Sequence, residues 1–235
     1  MSFDIDIRKT VTSERRSFTL NVRFRTQARR TVIFGPSGAG KSLTLQAIAG
    51  LLRPDSGRIA FDDEPVFDSA HHIDLPARRR GFGYLFQDYA LFPRLNVRQN
   101  IAFGLQAGLR NPSPHAGGDE VERWLRAFEL VDVAAQRPSE LSGGQRQRTA
   151  LARALAHSPR ALLLDEPFSA LDPELRDRMR AELDELLKRV DIPVLMITHD
   201  REDLAWFGDE TIYLFDGAIA EQPPAQERRV PTRPD

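Results

Sequence analysis

The chain has 235 residues with a formal net charge of −1, from 33 basic and 34 acidic side chains, and it contains no cysteine. This length can bury a substantial core but is short for two large independent domains. The balanced charge excludes a global field that would attract nucleic acid or an anionic membrane, and the absence of cysteine excludes disulfides and cysteine-based metal sites. No apolar run approaches the roughly 20 residues that span a bilayer, and the start lacks an export signal, so we expect a soluble cytoplasmic chain.

The N-terminal part alternates apolar and polar residues in short runs that favour strands. We predict three strands there, at residues 3–7, 18–24 and 31–34. Residues 57–68 predict a hairpin that joins the early strands, and residues 43–49 predict a short helix that Gly50 ends. The continuous apolar runs at residues 162–164 and 194–197 suit strands that are buried on both faces of a parallel sheet.

Helical spacing dominates residues 88–157, with a proline- and glycine-rich loop expected over residues 108–118. Residues 211–220 give a hairpin signal, and the tail from Pro223 is charged and proline-rich, which predicts disorder. We therefore predict an α/β fold: a mostly parallel sheet core with an N-terminal antiparallel β subdomain and a helical insertion. The expected segments are the core at residues 1–86 and 158–222, the helical insertion at residues 87–157, and the tail at residues 223–235.

A glycine-rich segment between a predicted strand and a predicted helix matches the phosphate-loop pattern, although a plain glycine turn is the alternative. It reads Gly35, Pro36, Ser37, Gly38, Ala39, Gly40, Lys41 and Ser42, and Leu43 follows. Glycines let backbone N–H groups turn toward phosphate oxygens at a helix N-terminus, which favours negative charge. Lys41 is expected to reach the β- and γ-phosphates of ATP, and Ser42 to ligate Mg²⁺. The predicted fold is therefore that of a P-loop NTPase of the RecA-like kind.

Two carboxylates follow the buried run at residues 162–164. Asp165 is expected to hold Mg²⁺, directly or through water, and Glu166 to polarise an attacking water as general base. In isolation the pair could be the ordinary polar end of a strand. The phosphate loop in the same chain favours the catalytic interpretation.

A second glycine-rich segment has no lysine of its own and precedes residues 146–156, which predict a helix. Its members are Ser142, Gly143, Gly144 and Gln145. Free N–H groups at a helix start make an anion site, with Ser142 as an extra donor, although the segment alone could be a helix cap. Beside the phosphate loop, we expect it to cap the nucleotide of another copy of the chain.

His199 and Gln87 each follow a predicted strand. His199 is expected at the sheet edge that carries the phosphate loop, where it can donate a hydrogen bond to the γ-phosphate. Gln87 could contact Mg²⁺ or the attacking water at the junction with the helical insertion. Each has a plain alternative, because a lone histidine after a strand is often structural and a lone glutamine is often a surface residue.

These segments, in this order, resemble ATP-binding cassette (ABC) subunits of membrane transporters, and the resemblance covers residues 3 to about 222. It rests on the phosphate loop at residues 35–42, Gln87, the LSGGQ stretch at residues 141–145, the acidic strand at residues 161–166, Asp172 and His199. It implies two subunits stacked head to tail around two ATPs, each ATP held by one phosphate loop and the partner's LSGGQ stretch. Asp172 would lie at the seam between the subunits.

The resemblance also implies a transmembrane permease partner, received near Arg94, Leu95 and Val97. A periplasmic solute-binding protein would act indirectly, the chain would lie at the cytoplasmic face of the membrane, and no nucleic-acid partner is implied. Family members usually carry an aromatic residue upstream of the phosphate loop that stacks on adenine. Here Phe18 is the nearest, and its alternating strand favours a core position over adenine stacking.

Residues 74–93 resemble importers of the molybdate, sulfate, iron and polyamine groups, and the compact N-terminal hairpin is most like the molybdate type. We expect import of molybdate or a related oxyanion, with another small solute or export as alternatives. Many such importers carry a C-terminal regulatory domain, which we do not expect here. Repair or chromosome ATPases would insert long coiled-coil or zinc segments, ribosome-acting members would carry two cassettes, and a non-hydrolysing module would be expected to lose Glu166 or His199.

Overall fold

The structure is a computed structural model that describes residues 2–13, 16–105, 111–169, 171–189 and 192–221. The strands of these ranges are β1 (Phe3–Ser13), β2 (Arg16–Thr26), β3 (Arg30–Phe34), β4 (Ser56–Phe61), β5 (Glu64–Asp68), β6 (Ile73–Asp74), β7 (Phe82–Leu85), β8 (Ala161–Asp165), β9 (Val194–Thr198), β10 (Glu210–Phe215) and β11 (Ala218–Ala220). They join one sheet in the order β6-β5-β4-β1-β2-β11-β10-β3-β9-β8-β7.

The α-helices of the described ranges are α1 (Lys41–Ala49), α2 (Ala77–Arg80), α3 (Val97–Phe103), α4 (Asp119–Ala127), α5 (Gly143–Ala156), α6 (Pro173–Arg189) and α7 (Arg201–Phe207). Gly50 ends α1 in the left-handed conformation that glycine adopts without strain, as expected. α3, α4 and α5, which lie between β7 and β8 in the sequence, pack on one another. This confirms the predicted helical stretch. The division of the chain into segments stays a prediction, and the tail from Pro223 lies outside the described residues.

One half of the sheet is parallel and buried on both faces. β10, β3, β9, β8 and β7 run parallel, and every residue of β3, β8 and β9 is buried. This explains their apolar runs, because helices cover both faces. Phe34 pairs with Thr198 and Asp165 with Ile197. The segments after β3, β8 and β9 therefore leave from the same edge of the sheet.

The other half of the sheet is antiparallel. β1 pairs with β2 and with β4, and β4 pairs with β5, which confirms the predicted hairpin over residues 57–68. β1 and β2 are both longer than predicted, because their polar ends continue the pairing as far as Ser13 and Arg16. The predicted hairpin near the C-terminus is confirmed as β10 and β11, and β11 also pairs in parallel with β2, joining the two halves.

The sheet separates two apolar clusters. One lies beneath α3 to α7 and includes Ile101 and Leu151, whereas the other lies beneath α1 and includes Leu45 and Ile48. Burial of this apolar surface is the main term that holds the helices on the sheet. Among the helices within the described ranges, none is both long and apolar enough to cross a membrane.

Candidate nucleotide-binding site

The phosphate loop connects β3 to α1. Gly38 and Gly40 have φ angles of 82° and 100°, a region that disfavours residues with a Cβ atom. A Cβ on Gly35 would lie 2.0 Å from the Leu214 carbonyl oxygen, so the loop packs tightly against β10. These constraints explain the glycines at the two positions that the sequence pattern specifies, Gly35 and Gly40, and the additional glycine at Gly38.

Lys41 begins α1 and is 4% exposed. Its ammonium group donates hydrogen bonds to the carbonyl oxygens of Gly35, at 2.8 Å, and Pro36, at 3.0 Å. Burial lowers the pKa of Lys41, and the nearby Glu166 carboxylate, 3.4 Å away, opposes that shift. The loop thus holds a buried positive charge beside its N–H groups, as a phosphate cradle requires.

A cavity of about 570 Å³ opens over this loop. Its lining residues are Val11, Phe18, Ser37, Gly38, Gly40, Lys41, Ser42, Leu43, Gln87 and Glu166. A volume of this size suits a small organic ligand such as a nucleotide. Ala39 is buried beneath the loop and Pro36 is exposed at its rim. The exposed Gln87 lies at the cavity wall, and its contact with Mg²⁺ or the attacking water stays a prediction.

Phe18 has two neighbours that the sequence did not distinguish. It packs partly buried against the apolar cluster beneath α1, as expected for a core position. It also lines the cavity with Val11, its cross-strand partner, and its ring lies 3.1 Å from where a Cβ on Gly40 would stand. An apolar wall therefore faces the loop on the side of β1 and β2.

Asp165 is the centre of a small hydrogen-bond network at the end of β8. Ser42 Oγ donates to Asp165 Oδ1 at 3.1 Å, and the Tyr84 hydroxyl donates to Oδ2 at 2.9 Å. Burial raises the pKa of Asp165, and the bonds from Tyr84 and Ser42 oppose that shift. The sequence analysis missed Tyr84: its place three residues before Gln87 was visible, but nothing in the sequence marks its bond to Asp165.

The donor set around Ser42 fits magnesium. No cluster of three or more histidine or acidic side chains that could hold a metal exists within the described ranges. Mg²⁺ does not need one, because it keeps several waters and uses one or two carboxylates together with substrate phosphates. The hydroxyl of Ser42 and the carboxylate of Asp165, joined beside the phosphate loop, are such a set.

Glu166 lies between Lys41 and His199. The Lys41 ammonium is 3.4 Å from Glu166 Oε1, and His199 Nδ1 is 3.1 Å from Glu166 Oε2. Glu166 has a φ of 44°, a strained value for a residue that is not glycine, which turns its side chain out of the strand direction. Its side chain is 13% exposed and that of His199 is 47% exposed. The pair therefore lies where a water molecule can reach it.

A buried ion network supports the segment that carries His199. Arg180 on α6 is 1% exposed and donates to Asp200 at 2.7 Å and to Asp203 at 2.7 Å. The Thr198 hydroxyl donates to the other oxygen of Asp203. The sequence analysis missed this network, because charged residues on a helix are usually solvated and nothing in their spacing marks a buried partner.

The second glycine-rich segment lies at the start of α5. The helix begins at Gly143, so the prediction that it begins at residue 146 is wrong: Ser142 accepts the Gln145 N–H at 3.3 Å, and Gln145 Oε1 accepts the Ser142 N–H at 2.9 Å, which extends the helix. The segment is therefore a helix cap, and its glycines also have a role in packing. A Cβ on Gly144 would lie 3.1 Å from Met179 Sδ, so the glycines let α5 approach α6.

The structure does not bring all predicted site residues together. The cavity over the phosphate loop is lined by none of Ser142, Gly143, Gly144, Gln145 and Asp172. Asp172 is exposed, and its side chain accepts the Leu175 N–H at 3.0 Å, which caps the start of α6. Within one chain, the phosphate loop and the second glycine-rich segment are therefore separate surfaces.

The proposed docking position for a membrane partner needs a correction. Leu95 and Val97 are 5% and 0% exposed, so their side chains are part of the core and cannot form a contact surface; only Arg94 is exposed. Beside them is a groove of about 360 Å³. We call it the β7–α3 groove, and its lining residues are Tyr84, Phe86, Ala90, Phe92, Phe103, Gly104, Arg153, Ala154 and His157.

A family model described as ABC transporter matches residues 19–169, more than half of the chain. The chain belongs to the ABC transporter family. It is 40% identical over 234 residues to a molybdenum import ATP-binding protein of Rhodospirillum rubrum, a match that covers 99% of this chain and 60% of that protein. It is 45% identical over 195 residues to a sulfate/thiosulfate import ATP-binding protein of Synechocystis sp., over 83% of this chain and 53% of that protein.

The chain therefore spans little more than half the length of these two relatives. Among solved structures, a dimeric ATP-binding cassette in a post-hydrolysis state bound to ADP and Pi matches with a TM-score of 0.74 and 29% identity, covering 94% of this chain and 97% of that chain. Both the predicted family resemblance and the predicted fold class are confirmed.

Proposed function

We propose that the chain is the ATP-hydrolysing subunit of an ABC importer. The observation that carries the proposal is that Lys41, Ser42 and Glu166 line one cavity. Asp165 lies behind Ser42, which donates to it, and His199 lies 3.1 Å from Glu166. The phosphate loop binds phosphates, and the Ser42–Asp165 pair fits magnesium. The Glu166–His199 pair can accept a proton from a nearby water molecule.

Each residue has a role that follows from its position. Lys41 exchanges its loop carbonyls for β- and γ-phosphate oxygens, and Ser42 and Asp165 hold Mg²⁺, which supplies charge neutralisation at the phosphates when bound. Glu166 accepts a proton from the attacking water, and His199, 3.1 Å away, orients the Glu166 carboxylate and donates to the γ-phosphate. Gln87 at the cavity wall contacts the metal or the water. Phe18 and Val11 offer the adenine an apolar wall in place of a single upstream aromatic.

Completion of the site requires a second copy of the chain. Ser142 and Gln145 do not line the cavity of their own chain, yet the start of α5 presents N–H groups that favour an anion. A head-to-tail pair would place this surface of one copy over the cavity of the other. The dimeric state of the matched ATP-binding cassette supports this arrangement. Asp172, exposed at the start of α6, would lie at the seam.

The Glu166→Gln variant tests the proposed hydrolysis. The amide keeps the size of the side chain but cannot accept the proton, so turnover should fall by at least about a hundredfold while ATP binding persists. A nucleotide-bound dimer should then accumulate on a sizing column. Glu185→Gln, which changes an exposed glutamate on α6, is the matched control and should leave hydrolysis unchanged. Undiminished hydrolysis by Glu166→Gln would overturn the role of Glu166.

Mixing two inactive variants tests the shared site. Ser142→Arg blocks the capping surface and Lys41→Met blocks the phosphate loop, so each homodimer should be inactive. A mixed dimer has one site with both defects and one intact site, and should recover up to about half the hydrolysis of the parent when both sites act independently. Full activity of the Ser142→Arg homodimer would contradict a site built from two copies.

The membrane partner is proposed to be a permease pair at the cytoplasmic face of the membrane. The β7–α3 groove offers an apolar surface, with Phe103 39% exposed, beside the Gln87 segment that reaches the nucleotide cavity. A periplasmic solute-binding protein would act through the permease rather than on this chain. The balanced charge of the chain supports no nucleic-acid partner.

The proposed solute is molybdate or a related oxyanion. The molybdenum relative supports this proposal across nearly the whole chain, whereas the sulfate/thiosulfate relative, at higher identity over a shorter match, keeps sulfate as the alternative. The solute touches other subunits, so no residue of the nucleotide cavity selects it. Cells that lack the chain should lose uptake of radiolabelled molybdate if molybdate is the solute. Sulfate added as a competitor distinguishes the two solutes.

A further inference from the structure

One tyrosine on β7 touches both the nucleotide site and the β7–α3 groove. The Tyr84 hydroxyl donates to Asp165 Oδ2 at 2.9 Å, while the other oxygen of that carboxylate accepts from Ser42. The ring of Tyr84 lines the groove, and its centroid is 4.5 Å from that of Phe86. The two ends of a single rigid side chain therefore belong to two different surfaces.

The bond from Tyr84 determines how Asp165 is presented. Asp165 is 5% exposed, so its oxygens depend on protein donors rather than on bulk water. The Tyr84 hydroxyl supplies one of these donors, at 2.9 Å from Oδ2. A hydrogen bond to a carboxylate is stronger than one between neutral groups and fixes the orientation of the acceptor. With Oδ2 occupied, Oδ1 is the oxygen beside Ser42.

The ring of Tyr84 is sensitive to what occupies the groove. β7 is the last strand of the sheet order and pairs only with β8 among the described strands, so its outer side is the wall of the groove. The ring has only two torsions and contacts Phe86, so a shift at Phe86 that displaces the ring would move the hydroxyl at the same time. No intervening residue is needed between the groove and the carboxylate.

We propose that Tyr84 is a positioning residue for the magnesium-binding carboxylate Asp165, and that through its ring the occupancy of the β7–α3 groove sets the affinity of the site for the metal. This inference rests on the proposed function, since it assumes that Ser42 and Asp165 hold Mg²⁺ with a nucleotide. The occupant of the groove would be an apolar helix or loop of the permease. By reciprocity, a metal-loaded site would alter the affinity of the groove for that segment.

The Tyr84→Phe variant isolates the hydroxyl, because it keeps the ring in the groove. Manganese affinity of the protein saturated with a non-hydrolysable ATP analogue, measured by electron paramagnetic resonance of free Mn²⁺, should fall about tenfold. Analogue binding in EDTA should be unchanged. Tyr213→Phe is the matched control, because this ring packs on Phe34 and its hydroxyl makes no described bond to the site. Unchanged manganese affinity in Tyr84→Phe would overturn the positioning role.

A covalently attached occupant of the groove tests the link. The chain contains no cysteine, so Ala90→Cys, at an exposed position on the groove wall, gives a single thiol for a bulky maleimide. Labelling should shift manganese affinity by at least about fivefold in the Tyr84 background and leave it unchanged in Tyr84→Phe. An equal shift in both backgrounds, or no shift in either, would overturn the link. Failure of the unlabelled parent to bind the analogue would instead overturn the proposed function.

Discussion

The buried Arg180 network makes a specific prediction about stability. Arg180→Met keeps an apolar stem of similar length over the Phe168 ring, which the guanidinium approaches at 5.8 Å, but removes the charge. Asp203, whose side chain is 3% exposed, then loses its ion-pair partner. It keeps only the hydrogen bond from Thr198 among its described partners. The substitution thus leaves the buried carboxylate of Asp203, between α6 and α7, without a compensating positive charge.

The magnitude follows from this burial. Removing one partner of a buried ion pair costs about 3 to 5 kcal/mol, because the remaining charge stays desolvated. The three other carboxylates around Arg180 are at least partly exposed and can be hydrated, so they add little. A loss of about 4 kcal/mol is a large fraction of the roughly 5 to 15 kcal/mol that stabilises a typical domain.

The loss should depend on pH with a definite sign. Burial already raises the pKa of Asp203 in the parent, where the Thr198 and Arg180 bonds oppose that shift. Without Arg180 the folded-state pKa rises further above the unfolded value of about 4. A raised folded pKa contributes stability below the unfolded pKa, and that stability is lost as pH rises through the folded pKa. The deficit of the variant should therefore be largest at neutral pH and shrink as pH falls toward 4.

Urea unfolding at pH 7 and pH 5 measures this deficit. Circular dichroism reports the helices, and fluorescence of Trp206 on α7 reports the neighbourhood of the network. Arg178→Met is the matched control on the same helix: its side chain is 74% exposed and pairs with Glu182, so it should cost under about 0.5 kcal/mol. A deficit in Arg180→Met as small as that of the control, or one that is equal at both pH values, would refute the reasoning.

Two further predictions concern other buried charges. Lys41→Met should weaken ATP binding by more than about tenfold, because charge-assisted bonds to phosphate are lost, whereas Lys9→Met, a surface lysine on β1, should bind normally in a fluorescent-nucleotide titration. Asp184→Asn should lower the free energy of unfolding by about 3 kcal/mol at pH 7, because the buried Arg30 loses its carboxylate partner. Burial opposes ionisation of Asp184, but Arg30 and Lys188 together outweigh it and lower the pKa. The stabilisation is therefore present above about pH 4 and is lost as pH falls through the folded pKa. Urea unfolding of Asp184→Asn at pH 7 and pH 3 checks this, and a cost that does not shrink in acid would contradict it.

The parts of the site that follow from local patterns could be predicted from the sequence. Parallel strands end at one sheet edge, so Lys41, Asp165 and His199 were placed near one another by their positions after β3, β8 and β9 alone. The groups that could not be predicted act through distant partners. Tyr84 meets Asp165 across 81 positions of sequence, and Arg180 meets Asp203 across 23. No periodicity of charge or aromatic residues encodes such pairs.

The errors have the same origin. The family resemblance placed a permease contact near Arg94, Leu95 and Val97, but Leu95 and Val97 are buried, since apolar side chains beside a helix start are also what a core requires. The start of α5 was placed at residue 146, but the helix begins at Gly143, because the capping box of Ser142 and close packing on Met179 outweigh the low helix propensity of glycine. In both cases the sequence was compatible with two structures, and tertiary packing determined which of them forms.

Pairing of polar groups within one chain limits how the proposed dimer can close. Lys41 already donates to two loop carbonyls, and Ser142 is held in its capping box. A nucleotide that bridges two copies therefore exchanges existing bonds for new ones, and each exchange gains only about 1 to 3 kcal/mol. Moving a dimer from 1% to 99% closed requires about 5.5 kcal/mol. Several contacts from both copies must act together, so closure should respond to the loss of a γ-phosphate, which removes contacts at Lys41, His199 and the partner's α5 at once.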